Sequence, residues 1–181
     1  MHWSRWGDPT EAKPLPTQTR ELVDAFIGTR DQAVVDPEDV RLSDPLAPAL
    51  VEALQGIVSP DHVLTDHAHR LARTRGKSTP DLLRMRSGDG LDSPDAVVRP
   101  GDATQVQAVV QWCAQHNVAV VPFGGGTSVV GGLAARREGY AGVISLDLVR
   151  IDRLLSVDEE SMTATVMSLI TSTRRALVSS Q

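Results

Sequence analysis

The sequence predicts an α+β protein, with an N-terminal helical region followed by a β-α-β unit and further strands. Three observations carry this expectation. Before residue 90, apolar residues recur at helical spacing. After it, short apolar runs bounded by Gly and Pro take over, as strands require. Between two of those runs lies one long helical pattern, "GDATQVQAVVQWCAQHN", residues 101–117. The expected organisation is an arm and helical region over 1–90, a strand-rich unit over 91–166 and a divergent tail over 167–181.

Composition bounds what such a chain can do. With 181 residues, 41% apolar, it can bury a core, and at 3% aromatics that core must be Val, Leu, Ile and Ala. A net charge of −5 with both signs scattered leaves no basic face for a nucleic acid. One cysteine allows neither an internal disulfide nor a Cys-based zinc site. Met1 leads into "HWSRWGDPTEAKP", which lacks the apolar core of a secretory signal. No run approaches the ~18 apolar residues of a membrane span. A cytoplasmic protein with no transmembrane segment is expected.

Residues 1–16 hold Trp3, Trp6, Gly7, Pro9, Pro14 and Pro16 and read as an ordered arm or a loose tail. "TQTRELVDAFIG" predicts a helix capped by Thr17 or Thr19, with Leu22, Val23, Phe26 and Ile27 on one face and Gly28 as the stop. Residues 44–58 predict a second helix on Leu50, Val51, Leu54 and Ile57, and 61–76 a third, more polar one. The stretch 76–96 is rich in turn residues and marks a boundary near residue 90. "DAVVRP" is a short strand. The helix over 101–117 has Asp102 as N-cap, Val106, Val109, Val110 and Cys113 on its apolar face, and Asn117 as a left-handed C-terminal cap. "VAVVPF" is an unbroken apolar strand, as expected when both faces are covered. "AGVISLDL" is another strand, and "RLLSVDEESMTATV" reads as strand, acidic turn, strand.

The chemistry concentrates in "VVPFGGGTSVVGG", Val120–Gly132, with five glycines in the nine positions 124–132. Following a buried strand, such a loop can turn successive backbone N–H groups onto one anion. Glycine tolerates positive φ, and its missing Cβ lets a phosphate reach the backbone. Thr127 and Ser128 add hydroxyl donors. A pyrophosphate is the natural guest. No Lys follows the glycines, so this is not a Walker loop. Gly124 and Gly126 match a dinucleotide fingerprint, but residue 129 is Val and no uninterrupted helix follows. A plain linker would be polar on both flanks, and this loop is hemmed by apolar residues.

"PFGGGTSVVGGL" followed by "GVISLDLVRIDRLLSVDEESMTATV" resembles the PCMH-type FAD-binding domain of the vanillyl-alcohol-oxidase superfamily. Within it the match is to FAD-linked oxidases of the bacterial alkyldihydroxyacetonephosphate-synthase (alkylglycerone-phosphate synthase) type. It extends through "DAVVRPGDATQVQAVVQWCAQHNVAVVPFGGG", "GKSTPDLLRMRSG" and "WGDPTEAKPL", from about residue 3 to Val166. The resemblance implies that strands 91–166 form the first subdomain of that FAD domain. It also implies that Pro122, Phe123, Gly124, Gly125, Gly126, Thr127 and Ser128 hold the FAD pyrophosphate. Some relatives bond flavin covalently through a histidine where Thr127 stands, so non-covalent FAD is implied here. The implied activity is exchange of the acyl chain of an acyl-dihydroxyacetonephosphate for a long-chain alcohol, giving an ether-lipid precursor. A 2-hydroxy-acid or alcohol dehydrogenase of the same superfamily is the alternative, and an inactive remnant a third.

After Val166 the family pattern fades into "MSLITSTRRALVSSQ", where only Ile170 and Thr171 echo its "ITG" turn. The expectation is a truncated chain whose substrate-binding residues lie elsewhere, so no catalytic residue is named. Other sites are set aside. His67 and His69, two apart on a helix with His62 nearby, diverge and suggest no metal site. Cys113 reads as a small core residue. Asp147 can contact the flavin region or cap a turn, and 157–161 reads as a hairpin turn.

Overall fold

In the computed structural model, residues 2–7, 9–11, 13–28 and 33–167 are described; the expected tail lies outside them from residue 168. The first helix, α1 (Thr17–Phe26), is entered from Pro16 with no side-chain cap, so neither Thr17 nor Thr19 plays the expected role. Gly28 ends it at φ +72°. Its apolar face is mostly exposed: Val23 is half-buried, while Phe26 and Ile27 are each 82% exposed. A short strand, β1 (Arg41–Leu42), precedes α2 (Pro48–Val58). Proline in the first turn of α2 fits the fixed φ and the N–H that needs no partner there. Leu54 and Val58 are buried, and Leu50, Val51 and Ile57 pack half-buried on the same core.

The third helix expected over 61–76 does not form as one element. Val63–Leu64 becomes β2, pairing antiparallel with Val98 and Val97, and only His67–Leu71 is helical, as α3. A non-local pairing between apolar β-formers overrides the local helical pattern. Asp66 caps α3 by accepting from His69 N at 3.1 Å. The turn-rich stretch conceals α4 (Thr79–Arg86), whose cap Ser78 accepts from Asp81 N at 3.2 Å ahead of a proline in the first turn. It leads into β3 (Asp89–Gly90), which runs parallel to β1.

The strand-rich unit begins with β4 (Ala96–Val98) and α5 (Ala103–Gln115). Asp102 accepts from Gln105 N at 2.8 Å, and Asn117 lies at φ +54°, both as expected. Val109 and Cys113 are buried and Val106 packs on the core, whereas Val110 is 43% exposed. Then follow β5 (Val118–Phe123) and β6 (Gly142–Asp147), parallel to each other and to β4 in the order β2-β4-β6-β5. This placement corrects the reading of "VAVVPF": β5 is the sheet edge, half-buried over Ala119–Val121, and its Pro122 is exposed. Proline, lacking a ladder donor, is at home on an edge. The strand covered on both faces is β6, buried at all six residues. The last strands, β7 (Leu154–Asp158) and β8 (Thr163–Val166), form the expected antiparallel hairpin, exposed along its length. Asp158 orders its turn by accepting from Glu160 N at 3.0 Å and Ser161 N at 3.2 Å.

Strand alternation divides the sheet. Ala96, Val98, Val118, Ile144 and Leu146 join Leu54, Val58, Val109 and Cys113 in one core under α2 and α5. A second cluster, Val40, Leu71 and Met85, is covered by Trp3, so the arm is ordered at that residue. The neighbouring residues on β6, Ser145 and Asp147, alternate with Ile144 and Leu146 and so take the opposite face of the sheet.

Candidate functional site

Because β4, β5 and β6 are parallel, their carboxyl ends gather at Val98, Phe123 and Asp147, with Phe123 and Asp147 in register. The glycine loop leaves the sheet there. Phe123 turns inward and is 9% exposed, and Gly126 folds back against its ring at φ +69°. A Cβ on Gly126 would lie 2.7 Å from Phe123 Cζ, so only glycine fits. Gly124 and Gly125 are half-buried, Gly126 is buried, Thr127 is exposed and Ser128 half-buried. Among the described residues, the backbone N–H groups of Gly124, Gly125, Gly126, Thr127 and Ser128 donate to no backbone acceptor outside the regular strands.

The far side of the loop is fastened by Gly76 and Lys77, the first residues of the segment "GKSTPDLLRMRSG". Lys77 N donates to the Ser128 carbonyl at 2.6 Å, and a Cβ on the preceding Gly76 would strike that same oxygen. The Lys77 ammonium turns the other way, donating to the carbonyls of His2 at 2.6 Å and Trp3 at 3.1 Å. Burial pulls its pKa down to about 8, against which Asp81 favours the charged form. Arg86 Nε donates to Ser4 O at 3.0 Å, so arm, α4 and glycine loop meet around Lys77. In sequence these two residues open a turn-rich stretch, and nothing local shows that they reach the glycine loop.

On the β6 side stands a charged cluster. Asp147, 1% exposed, accepts from Arg73 Nη2 at 2.7 Å, Arg73 Nε at 3.1 Å and Arg99 Nε at 3.2 Å, all on Oδ2. Its Oδ1 accepts from Val149 N at 3.1 Å, which is the capping role anticipated for it. The Arg73 guanidinium carbon lies 5.6 Å from the centre of the Phe123 ring. Neither arginine stands out in the sequence. Their signal is indirect: a carboxylate buried in "ISLD" needs a cation.

The remaining side chains take structural places. His67 Nε2 donates to Val40 O at 2.9 Å, and His69 Nδ1 donates to Asp66 Oδ2 at 2.7 Å. Burial pushes the Cys113 thiol up to about 11, so no thiolate forms at neutral pH. Asp95, buried, pins the start of β6 by accepting from Val143 N at 2.8 Å and receives Arg137 at 2.6 Å.

Residues 94–171 match the model of the FAD binding domain family. Protein Rv2250A of Mycobacterium tuberculosis is 42% identical over 104 residues, which cover 56% of this chain and 70% of that one. The chain belongs to the FAD binding domain family. FAD is accordingly the cofactor of this family. Alkyldihydroxyacetonephosphate synthase of Trypanosoma brucei brucei is 33% identical over 189 residues, 91% of this chain and 31% of the synthase. A solved structure of an alkyldihydroxyacetonephosphate synthase superposes with a TM-score of 0.78 at 26% identity, over 91% of this chain and 35% of the other. D-2-hydroxyglutarate dehydrogenase of Stutzerimonas stutzeri is 32% identical over 121 residues, 65% of this chain and 22% of its own. The chain thus spans about a third or less of the length of these longer relatives.

Proposed function

We propose that this chain is the flavin-binding part of an FAD-dependent enzyme of the alkyldihydroxyacetonephosphate-synthase type, and that it holds the FAD pyrophosphate on Pro122–Ser128. The single observation behind this reading is the loop itself. At the carboxyl ends of parallel strands, five successive residues, Gly124–Ser128, carry N–H groups without a loop acceptor, and Gly126 is held at positive φ. Such a run of free donors is what an anionic diphosphate needs. When bound, FAD supplies the redox-active ring. This chain's residues bind and orient its phosphates, and Thr127 offers a hydroxyl but no nitrogen for a covalent bond. Lys77 N, through Ser128 O, keeps the loop closed against the Gly76 backbone.

Similarity to two synthases supports exchange of an acyl chain for a long-chain alcohol as the activity of the full-length type. The D-2-hydroxyglutarate dehydrogenase relative favours a second reading, a 2-hydroxy-acid dehydrogenase, with the same flavin loop. No residue of 91–166 is given a catalytic role in either reading, and the protein is taken to work in the cytoplasm.

Titration of the purified chain with FAD, followed by quenching of flavin fluorescence, tests the loop. FAD has about 50 non-hydrogen atoms, and about 0.3 kcal/mol for each of the half nearest the phosphates gives a micromolar complex. Gly125→Leu should abolish it. Retained affinity in that variant would refute the pyrophosphate role, and turnover of acyl-dihydroxyacetonephosphate against a 2-hydroxy acid by the holoenzyme separates the two activities.

A further inference from the structure

We propose that Arg73 and Arg99, fixed by Asp147, form the cationic wall of the glycine loop and take up diphosphate oxygens beside it. This rests on the pyrophosphate reading of the loop and adds to it residues from outside the loop. Asp147 closes β6 where Phe123 closes β5, so the carboxylate and the root of the loop share one rung of the ladder. Arg73 connects them: its guanidinium bonds Asp147 Oδ2 through Nη2 at 2.7 Å and lies 5.6 Å from the centre of the Phe123 ring. The same ring limits the space above Gly126. The position of Arg73 therefore bears on the loop through one aromatic side chain.

The charge balance points the same way. Two guanidiniums converge on one carboxylate, leaving the cluster net positive at the carboxyl ends of β4 and β6. Both make their bonds to Asp147 through Nε, with Nη2 added in Arg73. Among the described residues, Arg73 Nη1 and both Arg99 Nη nitrogens find no acceptor. Arg73 and Arg99 keep 17% and 22% of their side-chain surface exposed, so those donors remain reachable, while the carboxylate that orients them is 1% exposed. The second guanidinium gives the cluster a surplus positive charge that a bound anion would neutralise. Planar guanidinium donors suit phosphate oxygens.

The test titrates inorganic pyrophosphate by calorimetry, and FAD by fluorescence, into the wild-type chain and into Arg73→Gln and Arg73→Lys at low and high salt. Loss of one charge-assisted contact should weaken both ligands on the order of tenfold to a hundredfold. It should also flatten the salt dependence, and Arg73→Lys should recover that dependence. Unchanged affinity and salt dependence in Arg73→Gln would overturn the proposal and leave the glycine-loop reading standing. Wild-type chain that binds pyrophosphate but not FAD, with Arg73→Gln losing the pyrophosphate, upholds the proposal while the flavin reading falls. Wild-type chain that binds neither overturns both. Should Arg73→Gln fail to fold, Arg73→Gln/Asp147→Asn removes the buried carboxylate and leaves the cluster's net charge as in wild type. Weakened binding in that double variant, at unchanged net charge, supports a direct contact from Arg73, and wild-type affinity overturns it.

Discussion

Two glycines of the same loop differ in what they avoid, and that difference is measurable. Gly131 sits at φ +76° and has no heavy atom within 4 Å of the point a Cβ would occupy, whereas a Cβ on Gly126, at φ +69°, would meet Phe123 Cζ at 2.7 Å. Gly131→Ala should cost about 1 kcal/mol of unfolding free energy from the left-handed backbone alone. Gly126→Ala carries the same strain plus the displacement of a buried ring, so a loss of about 2–3 kcal/mol is expected from urea midpoints. Equal losses would show that Phe123 yields freely. Lys77 gives a second residue-level prediction. In the folded chain it releases its proton near pH 8, against an ordinary lysine value of 10.5. Between those values the unfolded state binds more protons, so this residue makes stability rise with pH across the window. Below pH 8 the full penalty of burying the ammonium is present. Lys77→Met abolishes the dependence, so thermal melts from pH 8 to pH 10 should shift in favour of wild type relative to the variant. A difference that stays flat with pH would contradict the burial argument.

At the scale of elements, what was legible in sequence was what local chemistry decides. Asp102 and Asn117 are assigned from sequence to the two ends of α5, and both do what their side chains favour. Asp102→Ala should remove the bond to Gln105 N and lower stability by about 1 kcal/mol, read from the denaturation midpoint. The hairpin of β7 and β8 is equally readable, since an acidic turn between two alternating runs admits few alternatives. The failures are non-local. "DHVLTDHAHRLARTRG" has helical composition, yet Val63 and Leu64 are claimed by β4, residues 96–98, far along the chain. "VAVVPF" is apolar enough for a central strand, but β6 inserts between it and β4 and leaves it at the edge. β6 itself, with Ser145 and Asp147, does not look like the most buried strand, and its burial depends on arginines from α3's exit and β4's end. The start of α4 is a local signal masked by its surroundings: Ser78, a proline and Asp81 form a helix entrance inside a stretch dominated by turn residues. The same division holds for the site. Its glycine loop is contiguous and readable, whereas its supports, Gly76, Lys77, Arg73 and Arg99, are assembled by the fold.

For the molecule as a whole, burial is distributed unevenly, and the uneven part has consequences for behaviour in solution. The core under α2 and α5 is closed, while α1 turns Leu22, Phe26 and Ile27 outward at 59%, 82% and 82% exposure. The hairpin adds Leu155 at 53% and Val157 at 54%, on a two-stranded sheet whose outer edges carry no further strand among the described residues. Apolar side chains on an amphipathic helix and on an unpaired strand edge favour association. Phe26→Ser/Ile27→Ser removes two of the most exposed apolar side chains without touching the core. Because neither side chain buries much area, the double variant should melt at the wild-type temperature. Light scattering at increasing protein concentration should show weaker self-association than in wild type. A clear drop in melting temperature would mean that this helix face packs against another part of the same chain, and the account of α1 as a mostly exposed element would have to be withdrawn.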